Sequence, residues 1–234
     1  MYYSNNHLSK FKKSIGNFSR WEGSNTVKWS KNIINIEYQE NLNRRYHREE
    51  LLRDGFFDNY DDLTCSMIIF AWGGMNRNFG KMLLEDKSWL SIVKSIRNKS
   101  INSREESFNQ FSFLRKKGKL KGMGIAYFTK LICFLNPSLN GFIMDQWTSK
   151  SINLITQEKI IWLNSQGLVT DKNQVEEYSK FCKIVEDLSK IINIQPLDLE
   201  ENLFSNGGRK KGLWRDYVIK NWKYNVQNPI RYPI

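Results

Sequence analysis

"KLKGMGIAYFTKLICFLNP", residues 119–137, sets two glycines one residue apart between a basic run and an apolar run with helical spacing. Upstream, Ser103 and Glu106 stand at the S-x-x-E spacing of a capping box, which predicts a helix from about Arg104 that turns Phe108, Phe111 and Leu114 inward. Downstream, "AYFTKLICFL" reads as a second, strongly apolar helix that stops at Asn136-Pro137. Helix, glycine loop, helix is a way to bring several backbone N–H groups to one point. Gly122 and Gly124, lacking Cβ, can take positive φ and permit close approach, and the first N–H groups of the second helix attract an anion. Arg115, Lys116, Lys117, Lys119 and Lys121 add positive charge at the same place. A DNA phosphate fits such a site without any base being read. The structural alternative is a tight corner between two helices.

The rest of the chain reads as mostly helical. "NRRYHREELLRDGFF" is predicted to be a helix stopped near Gly55, "YDDLTCSMIIFAWGG" an apolar helix stopped by Gly73-Gly74, and "SWLSIVKSIRN" a third, with "WGGMNRN" as a loop. In "QVEEYSKFCKIVEDLSKII", Val175, Tyr178, Phe181, Cys182, Val185, Leu188 and Ile192 share one face of an amphipathic helix. "QPLDLEENLF" starts at Pro196 and stops before Gly207-Gly208, and a last helix surrounds "LWRDYVIKNW". Residues 1–40 read differently. Val27, Trp29, Ile34, Ile36 and Tyr38 partly alternate, which predicts an N-terminal arm with one or two short strands ahead of a helical domain over 41–234, the hairpin lying at 104–136.

Composition narrows the function. With 36 Lys+Arg against 24 Asp+Glu, the chain carries a net charge of +12 and attracts polyanions, nucleic acid first and anionic membrane second. No apolar run approaches the ~20 residues that spanning requires, and "MYYSNNHLSKFKK" lacks the apolar core of a signal peptide, so the expected location is the cytoplasm, on the nucleoid. Cys65, Cys133 and Cys182 lie far apart in apolar helical patterns and are read as buried small hydrophobes. His7 and His47, the two histidines, offer neither a metal site nor a catalytic triad.

The pattern L-x-G-M-G-x-x-x-x-x-K, followed by a helix, a loop and an aspartate, resembles the helix-hairpin-helix DNA glycosylases, in particular their 8-oxoguanine glycosylase-like branch. The resemblance is carried by about residues 104–155 and implies a helical glycosylase-like fold, a monomer, duplex DNA containing a modified base as partner, and no cofactor. It implies that Asp145 is the carboxylate essential for base removal. Lyase-active members carry a lysine two residues after the second glycine and nineteen before the aspartate; Ala126 stands there, which implies hydrolysis by water. The approach to the aspartate departs from the family's Gly/Pro-rich pattern and reads "NGFIMD".

Cleaving an N-glycosidic bond builds oxocarbenium-like charge on the sugar, which a nearby carboxylate stabilises while orienting or deprotonating water. Asp145 also stands where an ordinary N-cap would. Lys130, one turn beyond Ala126, is read as lining the base pocket, as a displaced lyase lysine in a bifunctional enzyme, or as a surface lysine. Among 8 Trp, 10 Tyr and 14 Phe, the pocket candidates are Trp72, Trp147, Trp214 and Tyr217. Arg209, Lys210 and Lys211 in "GGRKKG" are candidate phosphate contacts, and the carbonyls of Gly118, Leu120 and Met123 could face a monovalent cation. The altered pocket resembles diverged glycosylases that bacteria direct against viruses with glucosylated hydroxymethylcytosine. A non-catalytic helix-hairpin-helix DNA-binding protein is the other reading.

Overall fold

A computed structural model of the chain describes residues 2–18, 20–31, 33–34, 40–207 and 210–225. Among these are twelve α-helices: α1 (Asn5–Lys13), α2 (Thr26–Ser30), α3 (Arg48–Leu51), α4 (Asp62–Trp72), α5 (Arg77–Leu84), α6 (Leu90–Arg97), α7 (Arg104–Lys116), α8 (Ile125–Leu135), α9 (Gln146–Thr156), α10 (Val175–Ile192), α11 (Pro196–Phe204) and α12 (Leu213–Asn225). A two-residue antiparallel pair, β1 (Asn206–Gly207) with β2 (Lys210–Lys211), precedes α12. The fold is mostly helical, as expected. The chain divides into two compact units, Trp21–Ile143 and Met1–Arg20 with Met144–Ile234, so the expected N-terminal arm is shared between them.

In the unit Trp21–Ile143, α4 packs against α2, α6 and α8. Every residue of α4 from Thr64 to Trp72 is buried, as an apolar helix without a polar face requires. Asp61 caps it by accepting the Thr64 N–H at 2.6 Å. Ser103 caps α7 by accepting the Glu106 N–H at 3.0 Å, while the Glu106 carboxylate reaches back to the Asn102 N–H at 3.3 Å. Phe108 and Phe111 then close on Phe128 of α8, with ring centroids 5.0 and 5.4 Å away. This cluster holds the two helices of the hairpin together.

Three expectations change here. Val27 and Trp29 lie in α2, not in a strand; Ile34 is in no strand, and Ile36 and Tyr38 fall outside the described residues. Asn25 accepts the Lys28 N–H at 2.9 Å and starts a helical turn, and buried Trp29 donates its indole N–H to the Met75 carbonyl at 2.6 Å. Tertiary burial overrides the alternating pattern. The long helix expected before Gly55 shrinks to α3, because the Glu50 carboxylate binds the His47 N–H at 2.8 Å and starts the helix late. Conversely, "MNRNFGKMLL" contains α5, started by Asn76 accepting the Asn78 N–H at 2.9 Å and anchored by buried Leu83.

In the other unit α9 is central and packs against α1, α10, α11 and α12. Residues 148–156 of α9 are all buried although many are polar, and such groups must find partners. Ser151 donates to the Leu203 carbonyl at 2.9 Å and accepts the Trp214 indole N–H at 2.8 Å. Asn153 makes a two-way clamp with the Ile161 backbone at 2.9 and 2.8 Å. His7 of α1 is buried, with Nδ1 2.9 Å from the Tyr217 hydroxyl and Nε2 2.8 Å from the Gln157 amide. The amphipathic face read in α10 is present: Tyr178, Phe181, Cys182, Val185 and Leu188 are buried. All three cysteines are free and buried, and burial pushes the Cys65 thiol up to about 12.

Two measurements check this packing. Gly122 has φ of +84°, and a Cβ there would meet the Phe79 carbonyl oxygen at 2.3 Å, so Gly122→Ala should lower stability by about 2 kcal/mol or more in urea unfolding. Burial lowers the His7 pKa from 6.5, so the unfolded chain takes up that proton first. Stability should therefore fall as pH drops below about 6.5, and His7→Gln should remove that part of the dependence in thermal melts recorded from pH 7 to 5.

Candidate functional site

The hairpin loop is pinned from below and charged above. Leu120 and Met123 are buried at 1 % and 0 % exposure, while Lys117, Lys119 and Lys121 are exposed. Lys121 lies 3.8 Å from Glu85, an exposed pairing of little energetic weight. The two glycines answer different demands. Gly122 needs positive φ and lies against the backbone of Phe79 in α5. Gly124 has φ of −91° and ψ of 179°, which any residue adopts, and no atom lies within 4 Å of where its Cβ would be. The fold does not require glycine at 124, so its missing side chain leaves room outside the chain. Gly124 is also the N-cap of α8 without a side-chain acceptor, and the N–H groups of Ile125 and Ala126 have no acceptor among the described residues. The result is an open, donor-rich helix start with lysines around it.

Of the three hairpin carbonyls read as facing a cation, two accept hydrogen bonds within the chain. The Met123 carbonyl accepts Arg115 Nη1 at 2.8 Å, and that of Leu120 accepts the Met123 N–H at 3.2 Å. A guanidinium of the chain itself therefore lies at one of these carbonyls.

In the same unit three pocket candidates come together. Lys130 is 7 % exposed, so the surface-lysine alternative is overturned. Its ammonium donates to the Ala126 carbonyl at 2.9 Å and lies 5.3 Å from the Tyr127 ring centroid, and its Cδ would meet a Cβ at Gly73 at 2.9 Å. Gly73 follows Trp72, which is buried edge-on against Phe134 at 4.8 Å and whose indole N–H has no partner among the described residues. Phe79, two residues into α5 and in backbone contact with Gly122, is 48 % exposed.

Asp145 belongs to the other unit, as the N-cap of α9. Its Oδ1 accepts the N–H groups of Trp147 at 2.7 Å and Thr148 at 3.0 Å, and the Thr148 hydroxyl at 3.3 Å. Its Oδ2 accepts no hydrogen bond from the described residues, although the residue is only 7 % exposed. Capping and a free carboxylate oxygen thus coexist on one side chain. Beside it stands a cation–aromatic layer. The Arg215 guanidinium lies 4.2 Å from the Trp147 ring centroid and 4.4 Å from that of Phe204, donating to the Phe204 carbonyl through Nε at 2.9 Å. The Lys150 ammonium lies 4.3 Å from the Trp147 centroid and 4.7 Å from that of Trp222. Burial lowers the Arg215 pKa to about 10, against the opposing attraction of Asp145.

The remaining candidates fare differently. Trp214 is 1 % exposed, tilted against Phe11 at 4.9 Å and bonded to Ser151, the setting of a core residue. Tyr217 stacks on Trp214 at 5.4 Å and bonds His7. Arg209 lies outside the described residues; Lys210 and Lys211 form β2. Arg215 and Lys150 went unread in the sequence, where nothing says which aromatic ring a given cation will cover.

Residues 17–204, which take in the hairpin and Asp145, match the family described as "Putative 8-oxoguanine DNA glycosylase OGG-like protein". The chain belongs to this OGG-like family. Comparison with curated proteins and with solved structures found no match. The family match ends before Arg215 and Trp222, so the aromatic layer beside Asp145 is completed by residues beyond it. Among the described residues no helix is long and apolar enough to cross a membrane.

Gly124 separates a folding role from a binding role. Gly124→Ala should leave stability within about 0.5 kcal/mol of wild type in urea unfolding, because neither conformation nor space forbids the methyl group. It should weaken duplex DNA binding several-fold in a fluorescence titration.

Proposed function

We propose that the protein is a DNA glycosylase that hydrolyses the N-glycosidic bond of a modified base extruded from duplex DNA, acting as a monomer and without lyase chemistry. The observation that carries this reading is the division of labour within Asp145. One oxygen is committed to three hydrogen bonds that fix the carboxylate, and the other is left to act. A carboxylate serving only as a cap has no need of burial together with an open oxygen. Oδ2 takes the proton of a water as that water attacks the anomeric carbon, while the bond to the base breaks with its electron pair leaving on the base. The carboxylate also stabilises the positive charge that develops on the sugar. The products are an abasic site and the free base, which takes up a proton equivalent to the one released from the water, so that the carboxylate is restored.

The hairpin supports the DNA half of the reading. Its uncapped helix start, open at Gly124, receives a backbone phosphate, with Lys117, Lys119 and Lys121 around it. Exposed Phe79, rigidly tied to the loop through Gly122, is suited to fill the stack after a nucleotide leaves it. Ala126 offers no nucleophile, and the Lys130 ammonium is engaged as a donor to the Ala126 carbonyl. Modified bases differ in the polar substituents they carry, and a site that hydrogen-bonds such a substituent rejects a base that lacks it. Bases of this class range in size from 8-oxoguanine to glucosylated hydroxymethylcytosine, and excision of the latter would serve defence against viruses that carry it.

Single-turnover base release from duplexes carrying 8-oxoguanine, uracil, alkylated purines or glucosylated hydroxymethylcytosine tests the reading. Asp145→Asn should slow release from the active substrate by about 10²- to 10⁴-fold and change duplex affinity by no more than about twofold. Borohydride should trap no protein–DNA adduct. Release at the wild-type rate by the Asn variant would leave Asp145 a structural cap, and no release from any substrate would favour a DNA-binding protein without catalysis.

A further inference from the structure

Away from the hairpin loop, but within the same unit, Lys28, Arg44, Arg45 and Arg77 border a concave pocket of about 620 Å³. No carboxylate is among its lining residues, and Ser24 and Asn25 supply the polar wall. Two of the cations are partly neutralised: Arg44 pairs with Glu50 at 2.7 Å, and Arg45 lies 4.0 Å from Glu22. Lys28 and Arg77 have no carboxylate partner among the described residues. They are nonetheless drawn together, because the Arg77 guanidinium donates to the Lys28 carbonyl. Four like charges around one concavity repel, and a bound anion would offset that repulsion.

The pocket is mechanically joined to the hairpin. Arg77 is the first residue of α5, and two residues on, the backbone of Phe79 presses against Gly122. Trp29, on the pocket floor, has its ring 3.2 Å from where a Cβ of Gly80 would stand, which seats the same helix. One short helix therefore sets the spacing between the two basic places.

We infer that this pocket binds a backbone phosphate of nucleic acid, a second grip on the DNA held at the hairpin; the inference rests on the proposal that the protein acts on DNA. The chemistry recognised is a phosphodiester. A free nucleotide would bring the same phosphate, but the pocket offers its base no stacking face, since Trp29 is 4 % exposed and its indole N–H is committed to Met75. The cations are exposed and oriented for a polyanion arriving from solvent.

Equilibrium binding of an unmodified duplex, followed over a range of salt concentrations, tests the inference. Replacing exposed Lys28 and Arg45 together (K28Q/R45Q) should weaken binding about tenfold near 0.1 M salt and make the slope of log affinity against log salt shallower by about 1 to 2. The thermal midpoint, measured alongside, should stay at the wild-type value. As a second variant, K28E alone should weaken duplex binding more than K28Q. Inorganic phosphate and deoxyadenosine monophosphate, titrated separately by calorimetry, should bind only at millimolar concentrations or not at all. Wild-type affinity and slope in K28Q/R45Q would overturn the inference, and so would micromolar binding of the mononucleotide. Because unmodified DNA is used, these outcomes are independent of base release: loss of catalysis in every substrate would sink the proposed activity and leave this grip standing.

Discussion

The two oxygens of the Asp145 carboxylate are held differently, and the start of α9 depends on one of them. A helix beginning in the interior leaves backbone N–H groups that must be satisfied, and Oδ1 takes those of Trp147 and Thr148. α9, which starts there, is the helix on which α1, α10, α11 and α12 pack, so the cap stands at the root of its unit. The same bonds remove the rotational freedom of the side chain and leave Oδ2 pointing where no described group binds it. A side chain fixed by its capping bonds is preorganised for whatever its second oxygen meets.

The surroundings of Asp145 carry unusual charge for an interior. Arg215 and Lys150, 5 % and 4 % exposed, lie against aromatic faces, and Arg215 also donates to the Phe204 carbonyl. Guanidinium is weakly hydrated and planar, so stacking between Trp147 and Phe204 offsets more of its desolvation than an ammonium would recover there. Burial lowers the Arg215 pKa, yet at about 10 it still carries its charge at neutral pH, and Asp145 favours that charge. Trp147 thus joins the Asp145 carboxylate, through its own backbone N–H, to two cations over its ring, a role that its position in a helix does not disclose.

In the hairpin unit the two glycines divide a similar pair of duties. Gly122 is demanded by the protein, through its backbone conformation and the Phe79 carbonyl beside it. Gly124 is not: its conformation suits any residue, and the space beside it is open. The packing of Gly122 on α5 also carries the hairpin's placement to Arg77 and the basic pocket. Net charge alone would not show that arrangement, since four cations at one concavity come from three separate stretches of chain.

The sequence by itself determined the helices whose signals are local: the Ser103 cap of α7, the apolar α4 and α8, the amphipathic face of α10 and the Asp145 cap of α9 each rest on residues within a turn or two of one another. It also marked the hairpin glycines and the aspartate, because their spacing along the chain is itself the signal. Tertiary structure decided the rest, through contacts between residues far apart in sequence. Trp29 became helical because Met75 accepts its N–H across 46 positions, and a run rich in Asn and Gly became α5 because Leu83 and Trp29 hold it. Burial moved Lys130 from a surface to an interior and assigned Trp214 to packing. Local propensity is worth tenths of a kcal/mol per residue, whereas burying one large side chain is worth about 1.5–3 kcal/mol, so where the two disagreed, the long-range contact prevailed.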